Sequence, residues 1–376
     1  MNPKVGPLGL KECENWYLSF LKDKEEKLIE ELGFRRIKTQ KKVFYSEQGK
    51  IVYSFVYIKP ENGQAFSPLR RFLELDKYKN MSEDFRNKLI MKATRTTYQK
   101  AVEDIHESFN FRISKKTLNR YVIESTKYVD LVQEAEVGQN ILLADGTKVR
   151  NGKKGHHEVM AVMSLNYETN SSSLTAFEIN TPPKEIAAKI DLNKYAVFVG
   201  DGELGLRNFC NEKTPFHLCH QHAINDVSFY LWKEGMTKKE KDPSMAQFKA
   251  ILYTLQNSTK KYWEDKDTER LTKRILTTKD ELRSLAADFS IKEKHHASRY
   301  IMDHIDHMVT ASKLALIGIK VPFTTNHAER LMQEVGIRTK KKGMNWTEQG
   351  LKAILQPTLK RYFLPKERRN YKEVFT

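Results

Sequence analysis

Two short apolar runs, each ending in Asp-Gly, constrain this chain more than any other feature. Ile141-Leu142-Leu143-Ala144 leads into Asp145-Gly146, and Ala196-Val197-Phe198-Val199-Gly200 leads into Asp201-Gly202. Apolar runs of this length bounded by turn chemistry read as buried strands. Each strand is therefore expected to end in a bare carboxylate. Asp-Gly is also a common turn dipeptide, so either Asp taken alone reads equally well as a turn or cap residue. The pair, placed after two buried runs, favours a shared role.

The surrounding pattern gives these strands a place in an order. Strand-like runs at 139–143, 157–165 and 174–179 form a meander, separated by Asn- and Ser-rich turns. A short helix from Pro183 to Ile190 follows, then the strand at 195–200, a helix at 204–209, a strand at 215–218 and a helix starting near His220. This is the element order of an RNase H-like core, an α/β fold in which the two Asp-bearing strands are neighbours. From Asn225 to Ala315 the strand signals vanish and charged helical patterns take over, at 245–255, 267–276 and 295–314. Residues 226–315 thus read as a helical insertion between a first part of the core, 135–225, and a final part, 316–376.

The mostly helical N-terminal region divides in two. Residues 1–81 carry a helical pattern over 8–32, closed by Gly33, and a hairpin from strands at 43–45 and 51–57. Residues 82–134 hold three helical patterns. The last two, 97–108 and a helix opened by Ser114 as N-cap, read as a helix-turn-helix whose second helix exposes Lys115, Lys116, Asn119 and Arg120. Two ordinary amphipathic helices with a solvated basic face fit the same residues. Charge bears on the choice: 65 Lys plus Arg against 48 Asp plus Glu give +17 and a pI near 9.5, which suits a polyanionic partner. A Lys-rich proteome would produce the same bias, so charge supports nucleic-acid binding without proving it.

Three cysteines, Cys13, Cys210 and Cys219, supply no C-x-x-C pair, and a reducing compartment is expected. No apolar leader opens the chain and no run approaches 18 apolar residues, so the expectation is a cytoplasmic protein without a membrane, nucleoid-associated when bound to DNA.

Phosphoryl transfer at a two-metal site needs hard oxygen ligands converging from different elements. After Asp145 and Asp201, a third carboxylate is sought on a helix, and Thr324-Thr325-Asn326-His327-Ala328-Glu329 opens one. Glu334 competes for the role, but a helix sets it about 140° from Glu329, so both cannot face the same metals. A basic stretch follows, with Arg338, Lys340, Lys341 and Lys342 ahead of Gly343 and Trp346.

Thr324–Glu329 resembles the Thr-Thr-Asn-x-x-Glu segment that carries the last catalytic Glu of Mutator-like DDE transposases, a superfamily with many insertion-sequence enzymes. The downstream basic run is similar too. Asp201-Gly202 matches that superfamily's second Asp, and Cys219 and His222, beginning 18 residues on, match its C-x-x-H signature. The resemblance covers 140–355. It departs at Arg330-Leu331-Met332-Gln333-Glu334, which is less basic than expected, and the first hundred residues match loosely.

The resemblance implies a transposase of a mobile element with catalytic, metal-binding Asp145, Asp201 and Glu329. It implies two Mg²⁺ per site, with Mn²⁺ able to substitute, and nicking followed by strand transfer. The partners would be double-stranded DNA, as terminal inverted repeats and target, and further copies of the chain in a homo-oligomer. Lys115, Lys116, Asn119, Arg120, Arg338, Lys340, Lys341 and Lys342 are the expected DNA contacts. An RNase H-like nuclease without strand transfer and a non-catalytic DNA-binding descendant are the alternatives. For Cys219 and His222, a closed zinc site needs four ligands, and Cys210, His217 and His220 would have to bend in to complete it. Packing and hydrogen bonding that fix the helix behind Asp201 are the expected role. His295, His296, His304 and His307 are expected at surface or core helix positions.

Overall fold

The computed structural model describes residues 34–46, 49–67, 80–132, 140–152, 155–340, 344–364 and 371–375, together with positions 23, 27, 31, 135 and 138. The chain divides into two compact units, Met1–Lys92 with Gln99–Tyr121, and Ala93–Tyr98 with Val122–Thr376. The helix expected over 8–32 lies outside the described residues, apart from Asp23, Lys27 and Glu31, which are helical.

In the first unit, strands β1 (Arg35–Ser46) and β2 (Gly49–Lys59) pair antiparallel from Arg35↔Lys59 to Ser46↔Gly49. The hairpin is longer than its apolar residues suggest, because the Arg35–Lys41 half is solvent-exposed and its charged side chains hide a strand that backbone pairing sustains. Helix α1 (Glu83–Arg95) is capped by Ser82, whose Oγ accepts from Phe85 N at 3.1 Å. Tyr45 of the hairpin meets Phe111 at 4.5 Å between ring centroids, and Phe85 meets Phe109 and Phe111 edge-on at 5.3 and 5.4 Å. Helices α2 (Tyr98–Phe109) and α3 (Lys115–Ser125) are joined through Asn110, whose φ of 46° ends α2. Ser114 Oγ accepts from Thr117 N at 3.0 Å, the expected cap. Ala101, Ile105 and Leu118 are buried, while Lys115, Lys116 and Arg120 are exposed and Asn119 is half-buried.

The second unit is mixed α/β, built on a five-stranded sheet in the order β5-β4-β3-β6-β7. The strands β3 (Ile141–Arg150), β4 (His156–Asn166) and β5 (Ser171–Ile179) form the antiparallel meander. After helix α4 (Pro183–Ala187) come β6 (Val197–Gly200), a 3₁₀ turn (Leu204–Phe209) and β7 (Phe216–Leu218), with β6 parallel to β3 and β7 parallel to β6. One expectation is corrected: β3 does not end at Asp145. It continues to Arg150 because β4 pairs with it over the full length, Ile141↔Leu165 to Arg150↔His156, whereas β6 pairs only from Ile141↔Val197 to Leu143↔Val199.

Helices α5 (His220–Lys233), α6 (Lys238–Asp265), α7 (Thr268–Ile291), α8 (His295–Met308) and α9 (Thr310–Leu316) make up the helical region. Helix α6 starts earlier than its apolar periodicity, at a capping box formed by Thr237 and Glu240. The run expected as one helix over 295–314 breaks at Val309. Leu142, Val162 and Phe198 of the sheet share one buried cluster with Phe248, Leu252, Leu285, Phe289 and Ile301, so sheet and helical region are built on a continuous core. Helix α10 (Asn326–Thr339) packs across β3 and β4, and α11 (Glu348–Phe363) against α10 and β5; α12 (Tyr371–Val374) follows.

Arg338 requires a second correction. It is 2% exposed rather than available to DNA. Its Nε donates to Ala93 O at 3.1 Å, and its guanidinium lies 4.8 Å from the Trp346 ring and 5.6 Å from the Tyr98 ring. Those aromatic faces and that carbonyl take the place of phosphates. Lys341 and Lys342 lie outside the described residues. Among the described residues no helix is long and apolar enough to cross a membrane.

Candidate active site

The site grows from the point where β3 loses its parallel neighbour. Leu143 is opposite Val199, and Asp145 and Asp201 each stand two residues further on. Both aspartates are therefore level, at the same edge of the sheet. Gly200 is required before Asp201, since a Cβ there would lie 2.7 Å from Phe198 Cε1. The carboxylates are anchored by their own loops: Asp145 Oδ1 accepts from Gly146 N at 2.7 Å and Asp201 Oδ1 from Glu203 N at 2.9 Å.

Helix α5 is tied to the same edge. Cys219, its N-cap residue, donates its N–H to Gly200 O at 2.8 Å, and His220 N donates to Phe323 O at 2.9 Å, which draws the start of α10 alongside. Between the two helix starts sits the hydroxyl of Thr325. Thr325 Oγ1 is 2.9 Å from Glu329 Oε1, 3.4 Å from His222 Nδ1 and 3.4 Å from Cys219 Sγ, while Thr325 N donates to the same sulfur at 3.4 Å. A hydroxyl has one proton to give. The shortest contact assigns it to Glu329, and His222 Nδ1–H then donates to the hydroxyl oxygen. Glu329 is thus held by a chain that begins on α5.

The charges of Asp201 and Glu329 reach the Asp145 carboxyl. Burial, together with the Asp201 and Glu329 charges, pushes the Asp145 carboxyl up to about 6, against the opposing pull of the Gly146 N–H and His222. Hydrogen bonding to Cys219 and the charges of Cys219, Asp201 and Glu329 push His222 up to about 9 despite burial. Burial would raise the Cys219 thiol, but hydrogen bonds from His222 and Thr325 hold it below its ordinary value. Five ionisable groups, Asp145, Asp201, Cys219, His222 and Glu329, therefore share one field, in which His222 supplies the positive charge.

Two of these residues sit differently from expectation. Cys219 and His222 do fix α5, but they do so among the carboxylates rather than behind Asp201. Ligand atoms of Cys219, His222 and Glu329 all lie within 4.8 Å of one another, a grouping able to hold a metal ion and not selective for Mg²⁺. His220 and His217 do not complete a zinc site: His220 is held by Met308 O at 2.8 Å and Gln256 Nε2 at 2.9 Å, and His217 Nδ1 by His307 O at 3.0 Å. Glu334 points elsewhere, toward Arg361 Nη2 at 3.8 Å.

Sequence reasoning missed three further residues here. Besides Thr325, Tyr300 donates its hydroxyl to Asp226 Oδ2 at 2.7 Å, and both approach Gly202, whose hypothetical Cβ would be 3.3 Å from Tyr300 Oη and 3.6 Å from Asp226 Oδ2. The i, i+4 spacing of His222 and Asp226 on α5 was a signal for one of them. Tyr300 carried none, because only the fold brings α8 to this edge. Lys340, on the exposed end of α10, donates to Thr147 Oγ1, two residues past Asp145.

No family model matches this chain. No curated protein matches it either. The reading of the site therefore rests on its geometry. Asp145, Asp201 and Glu329 come from separate elements, with the charges of the last two reaching Asp145, while the ligand atoms that lie within 4.8 Å of one another among the described residues are those of Cys219, His222 and Glu329.

The crowding makes a pH prediction. Asp145 is raised in the folded state, so the native protein holds that proton more tightly than the unfolded chain and loses stability as pH climbs from about 4 through 6. His222 acts in the same direction over a higher window: its contribution is complete below its ordinary 6.5 and is lost as pH rises through about 9. Asp145→Asn should therefore stabilise the protein at pH 8 in chelator-treated buffer, by roughly 2–3 kcal/mol, with the gain gone at pH 4. Urea unfolding of parent and variant at the two pH values measures this, and a gain independent of pH would contradict the raised Asp145 carboxyl.

Proposed function

We propose that this chain is a DNA transposase whose RNase H-like core carries out metal-dependent phosphoryl transfer at Asp145, Asp201 and Glu329. The supporting observation is the approach of three carboxylates from β3, β6 and α10 at one sheet edge, where Asp145 feels the charge of the other two. The strand order and the parallel β3–β6 pair agree with the core expected from sequence. Asp145, Asp201 and Glu329 would hold two Mg²⁺ ions, whose chemistry is to activate the attacking oxygen and stabilise the leaving one.

The chain's own side chains do the positioning. The parallel strands fix the spacing of Asp145 and Asp201, and the Thr325 hydroxyl aims Glu329 at them. His222, held protonated, offsets part of the negative charge that a phosphate backbone would otherwise meet at the site. Lys340 lies beside β3 on the approach to Asp145, and Lys115, Lys116, Asn119 and Arg120 are the candidate contacts to the ends of the element. Synapsis of two DNA ends calls for a homo-oligomer, acting on DNA in the nucleoid.

Asp201→Asn keeps the shape of the side chain and removes a charged ligand. Nicking of the flanking inverted repeats in Mg²⁺ should fall by several orders of magnitude while binding in a gel shift is retained. Full cleavage by this variant would remove Asp201 from the chemistry, and normal binding without cleavage by the parent would favour a non-catalytic DNA-binding protein. Arg120→Ala should instead weaken binding and lower its salt slope by about one unit. Unchanged affinity and unchanged slope would place the DNA surface elsewhere.

A further inference from the structure

Beside Asp201 the structure opens into a second space that the carboxylate chemistry does not use. A pocket of about 500 Å³ lies between the turn after β6, α5 and α8, with Gly202, Arg207, Tyr230, His296, Arg299 and Tyr300 among its walls. Its rings form a connected ladder. Tyr230 is 5.4 Å from Tyr300 and 6.3 Å from His296, Tyr300 stacks on His304 at 4.4 Å, and the exposed Phe229 continues the series 5.8 Å from Tyr230. Two guanidiniums flank the rings. Arg299 is exposed, and Arg207 reaches His304 Nε2 through Nη2 at 2.9 Å while its buried Nε has no hydrogen-bond partner among the described residues. Asp303 is the one carboxylate in the wall. The pocket borders Asp201, because Gly202, which follows it directly, is part of the wall, and the Asp201 charge reaches the Tyr300 hydroxyl and helps to keep it protonated.

Aromatic faces between guanidiniums match a nucleotide taken out of its duplex: the base stacks on a ring and the phosphate meets a cation. A volume of about 500 Å³ accommodates one such unit. A paired base inside a duplex could not reach the rings. We infer that this pocket binds a single unpaired nucleotide of the DNA strand adjoining the phosphate at the carboxylate site, with Tyr230 as the stacking face and Arg299 as the phosphate contact. The inference rests on the transposase reading for its substrate, but binding can be tested apart from cleavage.

The probe is a short single-stranded oligodeoxynucleotide carrying 2-aminopurine, titrated with the full chain and followed by fluorescence and anisotropy. Stacking should quench the parent's signal. Tyr230→Leu should abolish the quench and weaken binding by about 5- to 150-fold, whereas Tyr230→Phe should retain both. Arg299→Ala, at an exposed position where folding is not at risk, should weaken binding and lower the salt slope by about one. Tyr253→Leu, which removes an exposed ring on α6, should leave binding unchanged. Parent-like binding and quenching by both Tyr230→Leu and Arg299→Ala would overturn the pocket. If nicking of duplex DNA still depended on Asp201, that failure would leave the transposase reading standing. A parent that neither bound the oligonucleotide nor cleaved duplex DNA would overturn both.

Discussion

The parallel pairing of β3 with β6 stops at Leu143 and Val199, and the chemistry proposed for this chain depends on that stop. Up to it, the paired residues of the two strands are fully buried. Beyond it β6 ends and β3 continues on β4 alone, with Asp145 and Asp201 each two residues past the last pair and the Asp201 charge acting on Asp145. The backbone hydrogen bonds of the sheet thus set the separation of the two carboxylates more rigidly than any loop could. Gly200 contributes to the same end, since no side chain fits there against Phe198.

Bringing carboxylates together has an electrostatic cost, and the structure meets it in two ways. His222 stands among them as a cation, and Asp145 accepts a proton more readily than an ordinary carboxyl. The divalent cations of the proposed function would offset the same repulsion more strongly. Thr325 gives the third carboxylate its position. Its hydroxyl and N–H link the sulfur of Cys219, the ring of His222 and the carboxylate of Glu329, so the N-termini of α5 and α10 act as one support.

Much of this was legible in the sequence, and the limits were physical ones. The two apolar runs ending in Asp, the meander and the helix beginning at Asn326 depend on local periodicity and appear where expected. The extension of β3 past Asp145 does not show in its own residues, because it is sustained by β4. Arg338 looked like a surface cation. Its surroundings come from Ala93, Tyr98 and Trp346, and sequence spacing says nothing about a carbonyl 245 positions away. The C-x-x-H pair was recognisable as a motif, but its place among the carboxylates arises from Thr325, 106 residues from Cys219. The ring ladder of Tyr230, Tyr300 and His304 likewise exists only once α5 and α8 are packed together.

The most direct measurement of the central claim is electron paramagnetic resonance of Mn²⁺ bound to the full chain on DNA. Two ions held by Asp145, Asp201 and Glu329 would be close enough to give an exchange-coupled pair signal. The account predicts that signal in the parent and its loss in Asp145→Asn, Asp201→Asn and Glu329→Gln, each of which removes a ligand from a different structural element. Only uncoupled, solvent-like Mn²⁺ in the parent, or a coupled pair that survives all three substitutions, would contradict it.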